Sequence, residues 1–180
     1  MIFAVGRQFI VESVLQGRDA LGVMPTGAGK SMCYQIGYCH ADLAWIVSPL
    51  VSLMGVQVRA LIEAGVRGSY LNSTLTPGQQ RTVMKRAVEG TYKIMYVAPE
   101  RLADPVFREF ASQVEVPLIA VDEAHCVSQW GQDFRPSYLA IREFIESFEK
   151  RPIVVALTAT ATERVRNDIT TLLGLRDLRK

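Results

Sequence analysis

Six short runs of mostly apolar residues punctuate the chain: DALGVM (19–24), LAWIVS (43–48), GSYL (68–71), KIMYV (93–97), PLIAV (117–121) and PIVVAL (152–157). Longer segments with helical spacing fill the gaps, near 7–16, 30–39, 50–64, 77–89, 104–112, 137–149 and 161–173. In 50–64, Leu50, Leu53, Met54, Val58, Leu61 and Ile62 recur at three- and four-residue steps and make one apolar face. Strands that are apolar throughout, and linked by helices, indicate a parallel sheet covered on both sides. The pattern therefore predicts an α/β fold with a mostly parallel sheet and helices on both faces. No linker, low-complexity segment or internal repeat interrupts it, so residues 1–180 are expected to form a single domain. Ligands of such sheets sit beyond the carboxyl ends of the strands.

Composition changes this picture little. With 180 residues, 49% hydrophobic and 21% charged, the chain is long enough for a well-buried core and unlike a disordered one. A net charge of +2 says almost nothing about nucleic acid, so any basic surface must be local. Cys33, Cys39 and Cys126 show no metal-ligand spacing and read as free, reduced thiols. Arg7 and Glu12 interrupt the apolar N-terminus, which excludes a signal peptide, and no run approaches the roughly 20 apolar residues of a membrane span. A cytoplasmic domain without membrane contact is expected.

Chemistry enters where strand 19–24 runs into MPTGAGKS, Met24 to Ser31, ahead of a helix. Small residues let successive backbone N–H groups cradle phosphate oxygens. Thr26, Gly27, Ala28 and Gly29 supply that room, Lys30 would reach the outer phosphates, and the Ser31 hydroxyl would ligate Mg²⁺. Met24 stands where the general pattern has its first Gly. The run LIAV (118–121) then delivers Asp122 and Glu123 at the end of another strand. Asp122 suits a Mg²⁺ ligand acting through the ion's water shell, and Glu123 suits the group that polarises the attacking water. Lys30, Asp122 and Glu123 are thus the candidate catalytic residues of a nucleoside triphosphate site.

PTGAGKS, DEAH (122–125) and LTATAT (157–162), in that order, resemble the motifs of superfamily 2 helicases. The segments GRDALGVMPTGAGKSMCYQ (17–35), VSPLVSLM (47–54), LNSTL (71–75), YVAPERL (96–102) and CVSQWGQDFRPSY (126–138) narrow the resemblance to the RecQ family of DNA helicases. The likeness implies the first of two RecA-like motor domains, ATP and Mg²⁺ as cofactors, and 3′→5′ movement along single-stranded DNA with duplex unwinding. Single-stranded or forked DNA is the implied partner.

In that family the aromatic-rich loop after DEAH senses single-stranded DNA and couples it to ATP hydrolysis. Aromatic faces stack on any base, worth about 1–3 kcal/mol each, and Arg adds cation–π and phosphate contacts. The resemblance therefore assigns DNA contact to Trp130, Phe134 and Arg135, although Trp130 and Phe134 would also suit loop anchors. Tyr138 reads as a packing residue. His125, Gln129 and Asp133 are implied to link the loop to the nucleotide site by hydrogen bonds. Ser48, Pro49 and Leu50, with Asn72, Ser73 and Thr74, resemble the family's other DNA-side motifs, although they would also suit ordinary caps and turns. Thr158 and Thr160 resemble the motif that ties hydrolysis to movement between motor halves. Arg81, Lys85 and Arg86 read as a solvated helix face.

The chain also departs from the family pattern. The adenine-recognition motif reads like F-R-x-G-Q, but here FAVGR places Ala4 and Arg7 at its Arg and Gln positions, with Gln8 one residue late. On a helix that shift rotates a side chain by about 100°. Gln132 replaces the usual His of the aromatic-rich loop, and Gly37 stands where Pro is common. The sequence stops at Lys180 without the second motor domain or the zinc-binding and winged-helix regions, so no zinc is expected. A second motor domain supplies an arginine finger, worth roughly 10³–10⁵ in rate in other NTPases, so slow hydrolysis is expected of the chain alone. A separately supplied second motor domain is accordingly a further partner. Two alternatives stay open: a nucleotide- or single-strand-binding module without turnover, and an RNA-directed superfamily 2 ATPase.

Overall fold

The computed structural model of the chain describes residues 2–25 and 43–178. The phosphate loop Thr26–Ser31, the expected helix at 30–39, and Cys33, Gly37 and Cys39 lie outside the described residues.

Six strands form one sheet: β1 (Ala20–Val23), β2 (Ala44–Val47), β3 (Gly68–Leu71), β4 (Ile94–Val97), β5 (Leu118–Val121) and β6 (Ile153–Thr158). Their order is β1-β6-β5-β2-β4-β3 and every pairing is parallel. Between them run α1 (Ile2–Leu15), α2 (Val51–Glu63), α3 (Pro77–Val88), α4 (Pro105–Ala111), α5 (Ala140–Glu146) and α6 (Glu163–Leu172). The central strands β2, β4 and β5 are buried at every position, as their uninterrupted apolar sequences require, whereas edge strands β1 and β3 are partly open.

Alternate residues of each central strand feed opposite faces. Ala44 and Ile46, Ile94 and Tyr96, Leu118 and Ala120, and Val155 and Leu157 pack against Ile10 of α1 and Met54, Val58 and Leu61 of α2. Trp45 and Val47, Met95 and Val97, Ile119 and Val121, and Val154 and Ala156 meet the helices of the other face. On that side Trp45 stacks on Phe110 of α4 at 5.8 Å and on Phe144 of α5 at 5.9 Å between ring centroids.

Two helices differ from expectation. α1 begins at Ile2 and not near residue 7, so the FAVGR segment is helical backbone; Gln8 is exposed and donates to Glu12 Oε1 at 2.8 Å, a helical i,i+4 pair. The segment expected as one helix over 137–149 is split into a 3₁₀ turn (Pro136–Leu139) and the shorter α5. Pro136 fixes the entry to that turn, and Tyr138 on it is drawn fully into the interior.

Because all strands run the same way, their carboxyl ends share one edge. The parallel ladder continues one residue past the strands there: Met24 N donates to Thr158 O at 2.9 Å, Asp122 N to Val47 O at 2.9 Å, Ser48 N to Val97 O at 3.2 Å, and Ala98 N to Leu71 O at 3.0 Å. The residue before the phosphate loop, the acidic pair and the Ser48 and Asn72 segments thus stand in one row.

Candidate nucleotide and single-strand site

Asp122 is buried at 6% exposure, the first residue after central strand β5. The hydroxyl of Ser48 donates to its Oδ2 at 3.4 Å from the end of neighbouring β2. Its backbone carbonyl accepts from Tyr138 Oη at 2.8 Å. Burial pushes the Tyr138 hydroxyl well above the ordinary phenol range, so it stays protonated and remains a donor.

Glu123 follows in the left-handed region at φ 47°, ψ 45°, a conformation that costs a non-glycine residue about 1–2 kcal/mol. Its carboxylate Oε2 lies 3.4 Å from His125 Nδ1, and both side chains are largely sheltered. The same Nδ1 lies 2.8 Å from Thr158 Oγ1, and that hydroxyl donates to the Thr160 carbonyl at 3.1 Å. A hydroxyl has one proton to give. With that proton on Thr160, His125 must carry its own on Nδ1, donating to Thr158 and facing Glu123. A chain of polar contacts therefore runs from Glu123 at the end of β5, past His125, to the end of β6.

Beyond the 3₁₀ turn Ala124–Val127 the chain enters the aromatic-rich loop, organised on Ser128. Ser128 N donates to His125 O at 3.1 Å, its Oγ donates to Asp168 Oδ2 of α6 at 2.6 Å, and it accepts Trp130 N at 3.1 Å and, on its carbonyl, Gly131 N at 3.0 Å. Gly131 is demanded by crowding: a Cβ there would lie 2.3 Å from the His125 carbonyl oxygen. Farther along, Arg135 N donates to Cys126 O at 2.9 Å. The loop thus holds Trp130 at the surface, 63% exposed, under the guanidinium of Arg164, whose Cζ lies 3.7 Å from the ring centroid.

The structure sorts the residues expected from sequence. Asp122, Glu123, His125, Thr158 and Thr160 gather at one edge; Thr160 contributes its carbonyl while its side chain is exposed. Trp130 is exposed as expected and Phe134 is half-buried. Arg135 is committed internally, its Nε and Nη2 donating to Asp133 Oδ2 at 3.0 and 2.8 Å and its Nη1 to Pro49 O at 3.5 Å.

Four more of the residues expected at the site have distinct surroundings. Ser48 is fully buried, donates to Asp122, and its hydroxyl also accepts Leu50 N at 3.4 Å. Asn72, 1% exposed, accepts Thr74 N and Oγ1 on its amide oxygen at 2.9 and 2.6 Å and aims its NH₂ at Met54 Sδ, 3.5 Å away. It shapes the turn that leaves Ser73 and Thr74 exposed. Asp133 pairs with Arg135 and not with the nucleotide edge, and Gln129 is exposed without a hydrogen-bond partner among the described residues. Gln132 is exposed, and Arg81, Lys85 and Arg86 are solvated as expected.

Ser48 beside Asp122, the Ser128–Asp168 pair and the Arg164–Trp130 contact were not legible in the motifs. Only the polar character of Asp168 and Arg164 on the exposed side of α6 hinted at the last two.

A Mg²⁺ ion fits what is present, since a sheltered carboxylate is oriented by Ser48 at the end of a central strand, on the edge where β1 leads toward the phosphate loop. Among the described residues, no group of three or more His, Cys, Asp or Glu is placed to hold a metal by itself. No helix of the described residues is long and apolar enough to cross a membrane.

Comparison with known proteins agrees with this geometry. The DEAD/DEAH box helicase family model matches residues 7–169. The chain is 42% identical over 174 residues to the ATP-dependent DNA helicase RecQ of Pasteurella multocida, covering 96% of this chain and 27% of that protein. It is 44% identical over 179 residues to the ATP-dependent DNA helicase RecQ of Haemophilus influenzae, covering 99% of this chain and 29% of that one. The chain therefore spans less than a third of the length of these relatives. In fold it is similar to the DUF1998 helicase MrfA bound to DNA, with a TM-score of 0.79 at 18% identity, covering 97% of this chain and 26% of that chain. Matched along most of its length by the family model, with a parallel sheet that gathers DEAH and the aromatic-rich loop on one edge, and similar over nearly its whole length to part of the RecQ helicases, the chain belongs to the DEAD/DEAH box helicase family.

Proposed function

We propose that this chain is the ATP-binding motor domain of a 3′→5′ DNA helicase, coupling ATP hydrolysis to movement along single-stranded DNA and so to duplex unwinding. The observation that carries the proposal is the path Glu123–His125–Thr158, because His125 also accepts, through its carbonyl, the N–H of Ser128 at the root of the aromatic-rich loop. A base that shifts this loop would move His125 and with it the orientation of Glu123.

In this reading Thr26 to Ser31 would cradle the phosphates, Lys30 would neutralise them, and Ser31 and Asp122 would hold Mg²⁺, which would stabilise charge on the phosphates when bound. Glu123 orients the attacking water and takes up its proton. Trp130 and Phe134 offer stacking faces to successive bases, with Ser73 and Thr74 on the same sheet edge for phosphates. In this reading hydrolysis also draws on an arginine finger from a second motor domain, so turnover is expected to be slow wherever that domain is not engaged.

The test is steady-state ATPase of the purified chain with and without oligo(dT), beside Lys30→Ala and Trp130→Ala. Turnover is expected to rise with the strand, to vanish in Lys30→Ala, and to lose its DNA response in Trp130→Ala while basal turnover persists. Strand-independent turnover in the wild type would sink the coupling. Binding of both ligands without turnover would leave a binding module in its place.

A further inference from the structure

Trp130 is exposed on a loop whose one guanidinium, that of Arg135, is already engaged. Arg135, the guanidinium nearest to it in sequence, has all three of its nitrogens engaged by Asp133 and Pro49. Arg166 donates to Ala161 O at 3.2 Å, and Arg142 pairs with Glu146 at 3.1 Å. Arg164 differs: it is exposed, lies over the indole of Trp130 at 3.7 Å, and has no hydrogen bond or ion pair among the described residues.

Helix stability does not account for its position. Arg164 sits in the first turn of α6, where the helix dipole disfavours a cation, and the cap of that turn is already made by Thr162, which accepts Val165 N at 3.3 Å. With one indole face under the guanidinium and 63% of Trp130 exposed, the other face stays open.

We propose that Arg164 is a nucleic-acid-contacting residue: a base of a single strand stacks on the open face of Trp130, while Arg164 backs the ring and takes the adjoining phosphate. A planar guanidinium can lie flat on an aromatic ring and still present its edge donors to an anion. Arg164 thereby supplies the positive charge that Arg135, neutralised by Asp133, does not. The Ser128–Asp168 hydrogen bond, one helical turn along α6, keeps loop and helix in register for this shared contact. The proposal rests on the reading of the aromatic-rich loop as a single-strand interface.

The test is binding of fluorescein-labelled oligo(dT) by the whole chain, followed by anisotropy across a series of NaCl concentrations, for wild type, Arg164→Ala, Arg164→Lys and Trp130→Ala. Arg164→Ala is expected to weaken binding about two- to fivefold at low salt. It should also lower the log–log salt slope by ~0.7, the value for one phosphate on a single strand. Arg164→Lys should keep the slope and lose part of the affinity. Trp45 is fully buried and is the only other tryptophan, so acrylamide quenching reports on Trp130 and should increase in Arg164→Ala. If wild type and Trp130→Ala differ but Arg164→Ala matches wild type in affinity and slope, or binds more tightly, the Arg164 proposal is overturned and the loop reading stands. If the wild type does not bind, or Trp130→Ala binds equally well, the loop reading falls and takes Arg164 with it.

Discussion

Gly131 and Cys126 illustrate how tightly the loop after DEAH is drawn against its own backbone. At Gly131 the obstacle is a carbonyl, which cannot swing aside as a flexible side chain would, so even a methyl group must displace the turn. Gly131→Ala is expected to cost about 1–3 kcal/mol, seen as a lower urea midpoint; an unchanged midpoint would show that the turn relaxes freely. Cys126 is buried beneath the same turn, and burial, aided by the nearby Asp133, pushes its thiol from 9.0 to about 12. The folded state thus holds this proton more strongly than the unfolded chain. The resulting stabilisation is complete below the ordinary thiol value and is lost as pH rises toward 12. Two outcomes are expected: the native chain at neutral pH leaves Cys126 unlabelled by iodoacetamide until denaturant is added, and Cys126→Ala flattens the alkaline loss of stability. Labelling of the native thiol, read by peptide mass spectrometry, would contradict the first.

At the scale of elements, the strands were legible because each is a continuous apolar run, and burial on both faces is what such a run requires. GSYL, for instance, is strand β3 at the residues expected, and the other five differ only at their ends. Among the described residues, helices were legible except at the early start of α1 and where backbone chemistry or a buried anchor overrode periodicity, as at Pro136 and Tyr138. Motifs located the candidate site but could not give the direction of each side chain. Ser48 and Asn72 have the polar character of strand-contacting residues, yet their positions just past buried strands turn both inward, onto Asp122 and onto the turn around Thr74. Pairings across the fold were not legible either: Ser128 and Asp168 are 40 residues apart, and only the packing of α6 against the turn Ala124–Val127 brings them together.

Across the whole molecule, the opposite edge of the sheet is closed by one carboxylate. Asp19, 3% exposed just before β1, accepts Arg151 Nη1 and Nη2 at 3.2 and 2.8 Å, Val154 N at 2.8 Å and Arg176 N at 2.7 Å. It joins the starts of β1 and β6 to the segment that follows α6, and Arg151 adds a bond to Gly174 O at 3.0 Å. Asp19→Ala should lower stability by about 3 kcal/mol, because it leaves Arg151 unpaired in a sheltered position. Lys150→Ala, which breaks an exposed pair with Glu115, should change stability by less than about 1 kcal/mol. Urea denaturation of both variants checks the contrast, and equal effects would refute it.

The placement of this clasp has a mechanical consequence. Tension applied through the segment after α6 meets Asp19 first and passes into the amino ends of β1 and β6, which are hydrogen-bonded side by side and would have to slide past one another in shear before separating. The pulling force is thereby taken up at the end of the sheet remote from Asp122, Glu123 and the aromatic-rich loop. While the clasp holds, a pull on this segment is met before it reaches α6 and the loop that α6 braces.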